Sequence, residues 1–298
     1  MRLLLSIATL MVIICCQQKV TINYPEPLPG DSIGPFLPGI VSKPGDTLDF
    51  NACFSPDGKS FYFSRTQHGT WDILVTHFNG TSWSREESLP FNTDKYADAD
   101  PMFGPDGNLY FISNLPKDAN DTLPDFDIWF STPLNDGSWS KPENVSEVNS
   151  DSTEYYVSFG SDGSMYFASS RPGGYGQEDI YISRRINDKY ATPVNLGPQI
   201  NSKNSEHDPA LPSNDSFIVY TSVDREGGVG EGDLYYSIKQ QDSSWTKGEN
   251  FRQLNSTSYE YCSYFSPDQK YFFYSSQYNV MWTSTTAFPK QLQDLLNR

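Results

Sequence analysis

RPGGYGQEDIYISRR, residues 171–185, is glycine-rich at its front and alternates like a strand at its back. A glycine loop cradles phosphate when a helix follows, because the helix N-terminus supplies the free N–H groups. Here the loop runs into DIYIS, whose two-residue alternation and branched or aromatic side chains spell a strand. The glycines are therefore a loop between strands, and the question becomes how often the pattern returns.

It returns five times, about every fifty residues. Each copy opens with an acid: DFNACFSPDG from Asp49, DADPMFGPDG from Asp98, EYYVSFGSDG from Glu154, EHDPALPSND from Glu206 and EYCSYFSPDQ from Glu260. Five residues on stands a large apolar residue (Phe54, Phe103, Phe159, Leu211, Phe265), followed by a turn built on Asp and Gly. A second strand follows: SFYFS, LYFIS, MYFAS, FIVYT or YFFYS. After a loop of variable length comes a third: DILVT, DIWFS, DIYIS, DLYYS or NVMWT. Trp83, Trp139 and Trp245, with Tyr190 in the third copy, precede a fourth extended segment.

Four short strands with apolar residues on both faces cannot form a domain alone. Packed radially they give an all-β propeller of four-stranded blades. Five blades are expected, with six as the alternative. The last copy lacks its fourth strand, and Pro35 to Asp46 resembles the missing piece, so an N-terminal strand is expected to close the ring. The expected boundaries are a signal peptide at 1–16, a linker at 17–34, the propeller at 35–284 and a tail or short helix at 285–298.

The run of SPDGxxxYFxS, GGxGxxDIYxS, WSxPxNL and INS, best kept in Ser161 to Ser183 and Thr192 to Ser202, resembles the WD40-like repeats of the TolB-type propeller class. The resemblance extends from Pro35 to Ser284. Copy four departs from it with PSND, copy five with Asn279. It implies envelope or periplasmic binding and scaffold proteins in most members, accessory domains of peptidases in others, and lyases in a few. Fold alone does not choose among these.

The N-terminus has Arg2, an apolar run from Leu3 to Ile14 too short to span a bilayer, then Cys15 and Cys16. This resembles a bacterial lipoprotein signal, which implies lipidation of Cys16 and a membrane-anchored cell-envelope protein. Outer-membrane attachment is expected, or secretion if Cys16 carries no lipid. The formal charge of −16 repels phosphate backbones, which argues against nucleic acid and for cations or basic protein surfaces.

The candidate ligand-binding residues lie at the innermost strand openings. The acid column is Asp49, Asp98, Glu154, Glu206 and Glu260. Two residues on stand Asn51, Asp100, Tyr156, Asp208 and Cys262. In a closed ring such carboxylates either form a negative funnel for a cation, sugar or basic side chain, or accept backbone N–H groups at the blade links. Asp100 and Asp208 break the symmetry, and each precedes a proline. His207 adjoins them in Glu-His-Asp-Pro. No metal site is expected from the histidines, although a divalent cation such as calcium would suit a carboxylate cluster.

Tyr96, Tyr155, Tyr156 and Tyr261 add aromatic character near the same openings. These features point to a non-enzymatic binding or scaffold propeller for protein or glycan ligands. The alternative is a glycosidase or metal-dependent lyase using the channel acids. Serine-hydrolase, zincin and Walker motifs are absent from the sequence. Cys53 and Cys262 fall on the inner strands of blades expected to be neighbours, so a disulfide between them is an open expectation.

Overall fold

The computed structural model describes residues 20–298 apart from 46, 68 and 124, and apart from the side chain of 67. The signal-like segment, Cys16 and His68 lie outside the described residues.

Five four-stranded antiparallel sheets form a propeller ring. Blade one is Asp49–Phe54, Ser60–Gln67, Thr70–His77 and Glu87–Ser88, from the inner strand outward. Blade two is Asp98–Phe103, Leu109–Ser113, Asp127–Ser131 and Glu143–Asn144. Blade three is Glu154–Phe159, Met165–Ser169, Asp179–Ser183 and Val194–Asn195. Blade four is Ser205–Ala210, Phe217–Val223, Gly232–Ile238 and Glu249–Asn250. Blade five is Tyr261–Phe265, Tyr271–Ser276 and Asn279–Ser284, with Gly34–Pro35 pairing beside Asn279–Ser284 as the fourth strand. Each inner strand lies beside the next, and the fifth lies beside the first.

The repeat signature maps onto recurrent bonds. The turn glycines Gly58, Gly107 and Gly163 are left-handed at φ 70°, 82° and 79°. In the two departing copies Asp215 and Gln269 hold that conformation at 52° and 60°. In the INS segment, Asn201 clamps the third strand by accepting from Ile180 N and donating to Ile180 O. Asn149 and Asn255 do the same for Ile128 and Leu234. The Trp positions bridge back to the end of the third strand, as Phe78 to Trp83, Pro133 to Trp139 and Lys239 to Trp245.

Between blades, both sheet faces are buried. Phe61, Phe63, Phe111, Phe167, Phe217, Phe272 and Phe273 are fully enclosed. Each such ring contributes roughly 1.5–3 kcal/mol by leaving water, which explains how sheets of two- to eight-residue strands hold together. The described part of the segment read as a linker, from Val20 on, packs onto the ring. Tyr24 donates to Asp268 and lies against Phe54, Tyr271 and Trp282. The tail forms the helix Lys290–Leu296, which buries Leu292, while Phe288 just before it packs on Phe251, Phe265 and Phe272. Among the described residues no helix is long and apolar enough to cross a membrane. Cys53 and Cys262 are free, buried thiols, so the disulfide considered from sequence is not formed.

Candidate functional site

The acid column faces the blade links. Glu154 accepts from Ser150 N, Ser150 Oγ and Ser169 Oγ, with Arg171 at 2.9 Å. Glu206 accepts from Ser202 N, Ser202 Oγ and Ser222 Oγ, with Arg225 at 4.0 Å. Glu260 repeats the pattern with Ser256 and Ser276. Asp49 bonds Lys43 N and the Arg65 guanidinium. Asp98 is raised to about 7 by burial. These five are nearly inaccessible; Asp49, Glu154, Glu206 and Glu260 tie their inner strands to the link before, while Asp98 bonds Ser113 of its second strand. Of the two geometries that a closed ring allowed, Asp49, Glu154, Glu206 and Glu260 take the backbone-bonded one, and all five column acids are buried rather than open to the channel.

The residues two positions on behave differently. Every inner strand slips register at the same place, and the bulged residue is left-handed: Asn51 at φ 61°, Asp100 at 55°, Tyr156 at 44°, Asp208 at 55° and Cys262 at 52°. A bulge re-aims a side chain. Here all five converge near the ring axis, because they meet across blades that are not neighbours. Tyr156 of blade three donates to Ser263 O of blade five, and Cys262 Sγ of blade five lies 3.8 Å from Asp100 Oδ1 of blade two. Asn51 Nδ2 reaches the same oxygen at 3.4 Å, and Asp208 Oδ2 accepts from Cys262 N at 2.8 Å.

Asp100, Asp208 and Cys262 line a cavity of about 290 Å³ at the mouth of the channel. Its walls come from residues one position after the acids: Phe50, Tyr155, His207 and Tyr261. Leu48, Trp71, Ile112, Glu178 and Tyr259 complete it from the adjoining loops and strands. The rings form a collar. His207 stacks on Tyr259 at 6.0 Å, Tyr259 meets Tyr261 at 5.5 Å, and Tyr261 meets Phe50 at 6.2 Å. Phe50 meets Trp71 at 5.7 Å, Trp71 stacks on Phe126 at 5.4 Å, and Phe126 meets Tyr155 at 5.8 Å. Glu178 lines the same cavity, and its charge acts on both Tyr155 and His207.

The bulge also explains how consecutive residues share one cavity. His207 and Asp208 would point to opposite faces of a regular strand. The left-handed Asp208 brings its Oδ2 to 3.1 Å from His207 Nδ1, while His207 Nε2 lies 2.7 Å from the Tyr259 hydroxyl. Burial pulls the imidazolium down, but Asp208, Glu178 and Asp100 outweigh it and raise His207 to about 9. Burial, then the neighbouring Asp208, pushes Asp100 up to about 7. Burial also raises Glu178, with Asp208 adding to it and His207 opposing. The site is thus a set of carboxylates in unlike environments inside an aromatic wall.

Of the residues expected from sequence to bind ligand, Asp100, His207 and Asp208 line this cavity. Tyr156 is buried at the axis, Asp49, Glu154, Glu206 and Glu260 are occupied at the links, and Asp98 is buried against Ser113. Tyr155 and Tyr261 belong to the mouth, whereas Tyr96 carries Lys95 over its ring away from it. Sequence reasoning did not single out Glu178 or Tyr259. Both stand immediately before a repeat column, Asp179 and Glu260, at positions where the other copies differ. Among the described residues no group of three or more His, Cys, Asp or Glu is disposed to hold a metal ion.

No family model and no curated protein matches the chain. Solved structures are similar to it in fold. An α-L-arabinofuranosidase from Lactobacillus brevis superposes with a TM-score of 0.56 at 12% identity, over 82% of this chain and 92% of that one. A TolB-type protein from Agrobacterium tumefaciens gives 0.50 at 16% identity, over 82% and 80%. TolB from Acinetobacter baumannii gives 0.43 at 20% identity over 67% of this chain, which spans 44% of that protein's length. Both propeller enzymes and TolB-type propellers thus share the architecture, at identities that speak for fold alone.

Proposed function

We propose that this chain is a non-enzymatic binding propeller of the bacterial cell envelope, held at the membrane through a lipid on Cys16, that receives a protein or glycan ligand at the channel mouth. The observation that supports it is the collar of aromatic rings around buried carboxylates. Aromatic surface with a few fixed polar groups is the usual composition of a recognition pocket. The TolB-type neighbour fits this reading, as does the acidic composition. Thermal melting of the full chain against envelope protein extracts, peptides and oligosaccharides tests it. One ligand class is expected to raise the melting temperature by mass action, and to lose that effect in Trp71→Ala.

A second reading has its own observation. Asp100 is held near 7 beside Asp208, and two carboxyl groups in unlike environments are what acid–base hydrolysis of a glycosidic bond requires. The arabinofuranosidase neighbour and a thermostable family-43 glycoside hydrolase, at a TM-score of 0.51, share the fold. If this reading holds, 4-nitrophenyl arabinofuranoside or xyloside is cleaved by the wild type and not by Asp208→Asn.

A further inference from the structure

Three times in this fold an arginine lies on an aromatic face beside a column acid. Arg171 sits 5.3 Å over Phe167 and 4.9 Å over Tyr181, and pairs with Glu154 at 2.9 Å. Arg65 sits 5.1 Å over Phe63 and pairs with Asp49. Arg225 sits 4.9 Å over Tyr235, near Glu206 at 4.0 Å. A guanidinium suits such places because it is planar, weakly hydrated and offers five donors in a fixed fork.

The mouth presents the same two components, aromatic planes and carboxylates; among the described residues that line it, the basic group is His207, already engaged by Asp208, and there is no Arg or Lys. Its polar lining is rich in acceptors. Asp100, Asp208 and Glu178 can only accept when ionised, and both nitrogens of His207 already have partners in Asp208 and Tyr259. Asp100 is buried at 5% exposure, and its Oδ2 receives no hydrogen bond from a described residue. A neutral sugar can donate hydroxyls to these oxygens but brings no positive charge to them, whereas a guanidinium brings both.

We propose that the channel mouth binds the guanidinium of an arginine side chain presented by a protein partner, stacked on the Trp71–Phe50–Tyr261 arc and bonded to Asp100, Asp208 and Glu178. The proposal rests on the mouth being the ligand site.

The test is calorimetric titration of the full chain with acetyl-Gly-Arg-Gly-amide and with the same peptide carrying citrulline, which keeps the shape and removes the charge. The arginine peptide is expected to bind at least tenfold more tightly than the citrulline peptide. Glu178→Gln is expected to narrow that ratio severalfold, and Trp71→Ala to weaken the arginine peptide at least tenfold. Equal binding of the two peptides overturns the proposal. So does tight binding of a neutral chito- or xylo-oligosaccharide, sensitive to Trp71→Ala, with no binding of the arginine peptide; that result leaves the mouth as ligand site and changes its ligand. If peptides and oligosaccharides alike fail to bind, or bind with no response to Trp71→Ala, the mouth is not the ligand site and both readings fall.

Discussion

Two sets of buried carboxylates lie within a few residues of one another and do opposite things. Glu154, Glu206 and Glu260 each end in a net of serine hydroxyl and backbone donors, repeated from blade to blade. Asp100, Asp208 and Glu178 follow no such repeat, share one cavity and repel one another. A carboxylate that obeys the repeat is holding the repeat together. One that breaks it and lines the mouth is a candidate for recognition rather than for the repeat.

The largest effect expected from this division is on the structural set. Glu206→Ala leaves the Ser202 N–H and the Ser202 and Ser222 hydroxyls without their acceptor and removes the charge 4.0 Å from Arg225. It is expected to lose about 3–5 kcal/mol in a denaturant melt, while Glu178→Gln stays within about 1 kcal/mol of wild type. Equal losses would erase the distinction.

Next is the glycine loop that decided the reading of the fold. Asp179 accepts from Tyr175 N and Gly176 N, drawing the loop down until a Cβ on Gly176 would sit 1.7 Å from Asn204 O. Gly176→Ala is expected to lose about 3 kcal/mol, and Gly173→Ala, with open space around it but φ of 93°, about 1 kcal/mol. A melt of the two variants reads the difference.

A smaller effect is the pH dependence. Asp100 and Asp98 rise from 3.8 to about 7 on folding, so the folded state binds their protons more tightly. Their contribution is complete below about 4 and is lost as pH rises through 7. His207, raised from 6.5 to about 9, contributes fully below 6.5 and loses that contribution as pH rises through 9. Both act in one direction, so the chain is expected to melt at a higher temperature at pH 5 than at pH 8, and Asp100→Asn to flatten the slope between pH 4 and 7.

The blade count and the strand order were legible because the signature recurs five times and each copy checks the others. The Asn of INS and the Asp of the third strand are legible for the same reason, although their partners are not. The arginines were hidden by drift: Arg65 follows its second-strand serine directly, while Arg171 and Arg225 come after one and two further residues. The site was half legible. Asp100 and Asp208 stood out by breaking the column, but nothing in the residue pattern announces the left-handed bulge that turns them to the axis. Glu178 and Tyr259 lie beside repeat positions rather than on them, and only the ring brings them to the same mouth.

The most direct measurement of the division is denaturant unfolding at pH 8 of Asp100→Asn beside Glu206→Gln. Asn tolerates the left-handed conformation at that position, so the first variant removes a buried charge and little else. It is expected to be more stable than wild type by about 1–2 kcal/mol, and Glu206→Gln less stable by about 2–3 kcal/mol. If Asp100→Asn destabilises the chain as much as Glu206→Gln does, the mouth carboxylates are part of the scaffold and the division fails.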